Sequence, residues 1–119
     1  MWSPGKALVL PGPTSYTEPK PQRIGYVEVL GKWCLIHFKS GDPLRWFIPL
    51  NYIEQRVDPQ LFCRIHHHYL VNKEFVKSYH LFKYNFEAYL GDGNQIPGSS
   101  RKQSDFLAMA QGFPHLARR

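Results

Sequence analysis

The sequence predicts a mainly β chain with one or two short helices as trim. Two observations carry that expectation. Runs of β-branched and aromatic residues recur along the chain, with turn residues between them at intervals of about 8–12 residues. Only two segments, 51–57 and 100–111, combine helical spacing of apolar residues with helix-end signals.

The elements follow in order. Five of the ten prolines, Pro4, Pro11, Pro13, Pro19 and Pro21, fall before residue 24, so residues 1–22 read as an extended arm with at most a short strand at 7–10. Ile24–Leu30 and Trp33–Lys39 are strand formers around Gly31-Lys32, which reads as a hairpin. Leu44–Ile48 is a third strand closed by Pro49. Asn51–Val57 reads as a short helix, with Asn51 and Glu54 as its capping box and Asp58-Pro59 as its stop. Leu61–Ile65 and Tyr69–Val71 flank His66-His67-His68, and Glu74–Tyr79 is a further strand. Phe82–Leu90 and Gln95–Pro97 are strands joined by a Gly91-Asp92-Gly93-Asn94 hairpin turn. Ser100–Gln111 reads as a closing helix capped by Ser100 and Gln103, with Gly112 at its end. One domain over residues 23–112, with a tail at 113–119, accounts for the chain.

Fifteen Lys and Arg against nine Asp and Glu give a formal charge of +6 in 119 residues. That surplus suits a polyanion, nucleic acid first among them. The charge is spread over both halves of the chain, so a basic face has to be assembled by folding. No apolar run reaches the roughly 18 residues of a membrane span, and Ala7–Leu10 is too short for a secretory core. The expectation is a cytoplasmic protein away from membranes, with Cys34 and Cys63 as reduced thiols. The aromatic residues Trp46, Phe47, Tyr79, Phe82, Phe86 and Tyr89 alternate with polar ones, as a sheet core does.

Two stretches carry a family likeness. Phe62-Cys63-Arg64-Ile65-His66-His67-His68-Tyr69-Leu70-Val71-Asn72 resembles the signature of the LytTR family of bacterial transcription regulators: Phe, any residue, Arg, an apolar residue, His, Arg, Ser, then Tyr-Leu-Val-Asn. Asp92-Gly93-Asn94-Gln95-Ile96-Pro97-Gly98-Ser99 resembles the family's Asp-Gly turn followed by Ile-Pro-Val-Ser-Arg-Arg. The order of elements fits over about residues 22–110. The resemblance implies an elongated arrangement of small antiparallel sheets with short helices. It implies sequence-preferring binding of double-stranded DNA, through loops that enter successive major grooves while Lys and Arg neutralise phosphates. Such domains usually serve as the output of a response regulator, and tandem copies bind repeated sites. A homodimer on DNA is therefore expected. A chain this short has no room for a receiver domain, so a separate signalling partner is expected too.

The candidate DNA-binding residues are Lys32, Trp33, His66, His67, His68, Ser99, Arg101 and Lys102. Lys32 sits in the first hairpin turn as a phosphate contact. Trp33 beside it packs either against sugar or a thymine methyl or into the core. His66 is a contact or a scaffold residue, and Asn72 leans to scaffold. Arg101, Lys102 and Ser99 lie at the start of the last helix, where free amides favour phosphate. Two departures bear on readout. His67-His68 stands where the family has Arg-Ser, and Ser100 where it has its first Arg. Arginine forms a bidentate pair with guanine that neutral imidazole cannot form. The alternative is therefore a protein-interaction module that kept the fold and lost specific readout.

No metal, cofactor or catalytic site is expected. Cys34-x-x-His37 and Cys63-x-x-His66 have zinc-type residues, but on a strand residues i and i+3 face opposite ways. The chain has no phosphate-binding or dinucleotide glycine motif. His80 and His115 are isolated.

Overall fold

A computed structural model describes residues 21–112 and the backbone of Ala117–Arg118. The expected arm lies almost wholly outside the described residues, together with its strand at 7–10. Within them the chain forms two sheets, and the molecule extends 45 × 29 × 26 Å. No helix among the described residues is long and apolar enough to cross a membrane.

The first sheet contains β1 (Ile24–Leu30), β2 (Trp33–Phe38), β3 (Leu44–Trp46), β4 (Phe62–His66) and β5 (Tyr69–Asn72). They lie in the order β3-β2-β1-β5-β4, every pair antiparallel. The β1–β2 hairpin forms where expected because Gly31 takes φ +61°, a left-handed conformation that glycine adopts without a steric penalty. The second sheet holds β6 (Val76–Leu81), β7 (Phe86–Leu90), β8 (Gln95–Gly98) and β9 (Ala117–Arg118), in the order β8-β7-β6-β9. β9, inside the segment read as a tail, runs parallel to β6.

Local chemistry moves several boundaries. β3 stops at Trp46, two residues earlier than expected, and Pro49 serves as N-cap of helix α1 (Leu50–Glu54). Asn51 is therefore inside the first turn and caps nothing, and no side chain caps this helix. β6 starts at Val76 because Asn72 Oδ1 accepts from the Glu74 amide at 2.9 Å and nucleates a 3-10 turn over Lys73–Phe75. The expected closing helix is split. Ser100–Lys102 is a 3-10 turn, and α2 runs over Gln103–Ala110 with no side-chain cap at either start. Gln103 reaches away from the helix instead, its amide donating to the carbonyls of Asn85 at 3.2 Å and Phe82 at 3.5 Å.

Each sheet brings its own core. Ile24, Val27, Ile36, Trp46, Ile53 and Phe62 belong to a cluster between the first sheet and α1. Ile65, Val71, Phe75, Phe86, Ile96 and Phe106 belong to a second, between the opposite face of the first sheet, the second sheet and α2. β4 and β5 feed both clusters because alternate strand residues point to opposite faces. Tyr26 joins the two halves. Its ring stacks on His37 with centroids 4.1 Å apart and on Phe75 at 6.2 Å, and its hydroxyl accepts from Asn94 Nδ2 at 3.2 Å. Burial and the nearby Asp92 push the Tyr26 pKa up to about 12, so the phenol stays neutral. Trp46 and Phe86 are core residues as the pattern suggests, but Phe47 and Phe82 are exposed, at 60% and 44%.

Gly98 occupies the position where the family motif has valine. A Cβ there would stand 2.1 Å from Cζ of the fully buried Phe86, whose ring is held by Phe106 at 4.6 Å. The Phe86 ring thus fills the volume that a larger residue at 98 would take. Gly98→Ala is expected to destabilise the domain by about 1–3 kcal/mol through overpacking. Urea denaturation of the variant checks this, and an unchanged midpoint would show that Phe86 yields freely.

Candidate nucleic-acid interface

The first hairpin turn puts Lys32 and Trp33 at one end of the first sheet, both exposed. Trp33 is 42% accessible, which rules out the core alternative for its side chain. Its ring meets Phe47 edge-on, with centroids 5.2 Å apart and planes at 72°. The Arg45 guanidinium carbon stands 5.6 Å from the same ring.

The β4–β5 turn is built by Arg64. This side chain is largely buried, and its Nη1 donates to Glu54 Oε1 of α1 at 2.7 Å. Its Nε donates to the His66 carbonyl at 2.9 Å, and its Nη2 donates to the His67 carbonyl. One guanidinium therefore ties the turn to the helix and holds two successive carbonyls. The tip residues His67 and His68 are exposed.

His66 is a scaffold residue as well. Its Nδ1 accepts the backbone amide of His68 at 3.0 Å, and an accepting nitrogen carries no proton. Burial, then the neighbouring His68, His67 and Arg64, hold its pKa below the ordinary imidazole value. Asn72 is fully buried and donates to the Ile24 carbonyl at 2.9 Å, a purely structural role.

The third group starts at Ser99, whose amide donates to the Ile65 carbonyl at 2.9 Å. That bond fastens the Ser100–Lys102 turn to the end of β4. Arg101 is exposed and Lys102 half-buried. Both stand in the 3-10 turn rather than in the helix, and the Ser99 amide is already used.

Lys32, Trp33, His67 and His68 are brought together. They line one open groove of about 700 Å³, whose apolar wall includes Phe47, Ile48 and Leu50. Arg64 lines it too, and among the described residues no carboxylate does. His66, Ser99, Arg101 and Lys102 do not line it. The sequence reading missed Arg64, Arg45 and Phe47 as site residues. Arg64 was visible as a motif match, but its hydrogen bonds were not. Phe47 read as core because it lies in an alternating run.

Cys34 and His37 are separated by the sheet, whereas the register shift between Arg64 and His66 sets Cys63 opposite Val71 and His66 opposite Tyr69, two residues on one face of β5, so the expected opposition of that pair does not hold. Cys34 is buried in the core beside α1, while His37 Nε2 contacts Glu28 Oε1 at 2.7 Å and stacks on Tyr26. Among the described residues no group of three or more His, Cys, Asp or Glu is placed to hold a metal. Burial pushes both cysteine thiols up, away from the thiolate form that a nucleophile needs.

Arg64→Ala is expected to cost about 1–3 kcal/mol in a denaturant titration, since charged hydrogen bonds are lost and the turn carbonyls stay unpaired. Arg64→Lys should recover little of it, because an ammonium lacks the planar fork. Full recovery with lysine would mean that charge alone holds the turn. The His66 shift also has a sign. Below about pH 6.5 the unfolded chain protonates this ring before the folded one does, so stability falls on acidification. Above that pH both states are neutral and the contribution vanishes. An NMR titration should place His66 below 6.5, and a midpoint at or above it would contradict the hydrogen bond to Nδ1.

Comparison with known proteins agrees with this architecture. No curated protein matches the chain. A solved structure described as a LytTr DNA-binding domain, from Bacillus cereus, superimposes with a TM-score of 0.76 at 19% identity, covering 89% of this chain and 98% of that one. At that identity the likeness shows the fold. The model of the LytTr DNA-binding domain family matches residues 17–111. That span takes in β1 to β8 and both helices, and by it the chain belongs to the LytTr DNA-binding domain family.

Proposed function

We propose that this domain binds double-stranded DNA with sequence preference, as a transcription regulator in the cytoplasm. The turn tips at Lys32-Trp33 and His67-His68 meet one major groove. Ser99, Arg101 and Lys102 meet the backbone or the next groove, and the cationic side chains neutralise phosphates. The observation that carries this reading is the groove itself: two hairpin tips converge on it, Lys32 and the exposed His67 and His68 line it, and among the described residues no carboxylate does. A polyanion is the partner such a surface attracts. Binding as a homodimer on repeated sites and response to a signalling partner belong to the same proposal.

His66 serves this site by shaping the turn, and the exposed His67 is the better base contact. A neutral imidazole at position 67 makes a single hydrogen bond where arginine would make two. The specificity should accordingly be broader than a guanine-reading arginine gives.

The test is selection from a randomised duplex pool at two salt concentrations. An enriched, repeated motif is expected. Three phosphate contacts imply a fall in affinity of about 40-fold between 50 and 200 mM salt, from a slope near −0.9 per phosphate. Arg101→Ala should weaken binding to every sequence alike and reduce that slope by about 0.9. A salt-independent affinity would remove the phosphate contacts from the reading. Weak salt-sensitive binding with no enrichment would favour a domain that kept its charge, lost its readout and now engages protein.

A further inference from the structure

We propose that Phe47, with Trp33 and Leu30, forms a receptor for thymine 5-methyl groups beside the groove. The inference rests on the DNA-binding reading above and adds to it a residue and a base preference.

Three large apolar side chains are exposed at this end of the first sheet: Leu30 at 51%, Trp33 at 42% and Phe47 at 60%. Leu30 and Trp33 pair across the ends of β1 and β2, and Phe47 packs its ring against the Trp33 indole. Phe47 follows Trp46 and precedes Ile48, both buried, so the chain turns only this side chain of the three outward. The fold does not need an aromatic ring there, since a polar residue would satisfy an outward position at less cost in exposed apolar surface.

The indole is fixed from two directions. Phe47 meets it edge-on, and the Arg45 guanidinium lies over it. A ring held in place loses little freedom when a ligand arrives.

The surroundings select the occupant. Lys32 and Arg45 flank the aromatic pair, His67 and His68 line the same groove, and among the described residues no carboxylate lines it. An apolar patch bordered by positive charge matches a surface on which an apolar group lies between rows of phosphates. On DNA base edges in the major groove that apolar group is the thymine methyl. Trp33 and Phe47 both line the groove, so a duplex held by Lys32 and His67 would bring its major-groove edge against them.

The experiment uses the full chain and the duplex enriched by the selection described above, with each thymine replaced in turn by uracil. This removes the methyl and keeps the pairing. At one or two positions the wild-type protein should lose about fourfold in affinity per methyl, the worth of one buried methyl-sized group. Phe47→Ala should bind the thymine duplex about as weakly as the wild type binds the uracil duplex, and should be indifferent to uracil at that position. Because Phe47 is exposed, its thermal unfolding should match the wild type. Equal affinity of the wild type for thymine and uracil at every position overturns the inference while leaving DNA binding intact. So does a Phe47→Ala variant that keeps the full uracil penalty. A wild-type chain that binds no duplex at all overturns the underlying reading, and this inference with it.

Discussion

The Arg64 guanidinium is the group on which the shape of the groove depends. A two-residue hairpin turn normally relies on a left-handed residue, often glycine. Neither His67 nor His68 has positive φ. The β4–β5 connection is made instead through a register shift between Arg64 and His66, an irregularity that bends the strand and re-aims its side chains. Such a turn leaves carbonyls facing inward, and Arg64 takes those of His66 and His67 while Glu54 neutralises its charge. A planar fork with several fixed donors can do this; a single ammonium cannot. The histidine tip is thus held by α1, an element ten residues back in sequence.

Much of this was legible in the sequence, and the remainder was hidden for identifiable reasons. The strand runs and the Gly31 turn were readable because period-two patterning and a left-handed glycine are local signals. The two capping boxes were not realised. Pro49 starts α1 two residues before Asn51, and Gln103 is drawn to the carbonyls of Phe82 and Asn85. Those partners lie 18 and 21 residues away, beyond the reach of any local rule. The candidate site divided in the same way. Lys32 and Trp33 were candidates from the turn, and His67 and His68 from the motif, and the fold brings these four to one groove. Arg64 looked like a signature residue without a role, and Phe47 looked like core, because burial is decided by the neighbouring strand rather than by the pattern of its own.

The histidines gain meaning from this architecture. His66 is committed to the turn through Nδ1, and its protonation is disfavoured by burial and by three cationic or imidazole neighbours. His67 and His68 are exposed and make no side-chain bond that builds the turn, so one residue of the triplet shapes the turn and two are displayed. The change from Arg-Ser to His-His then alters what the tip presents and leaves the support intact, since Arg64, His66 and Asn72 all retain the motif residue types. A changed tip on a constant support is the pattern expected if this loop carries the proposed contacts and the strands beneath it carry stability.

The two sets of candidate contacts belong to different sheets, so their spacing is a property of the joint between them. Lys32, Trp33, His67 and His68 ride on the first sheet, while Ser99, Arg101 and Lys102 follow β8 of the second. Two connections fix one against the other: the Ser99 amide on the Ile65 carbonyl, and the Tyr26 ring between His37 and Phe75 with its hydroxyl on Asn94. Ile65 and Tyr26 are both buried residues of the first sheet that pack in the second core. A phenol kept neutral by burial is a suitable hinge pin, because it can accept a hydrogen bond without bringing a charge into that core. If the two contact sets meet successive features of a duplex, the duplex must match a distance built into the protein. Core substitutions near Tyr26 would then alter DNA affinity without touching a single contact residue.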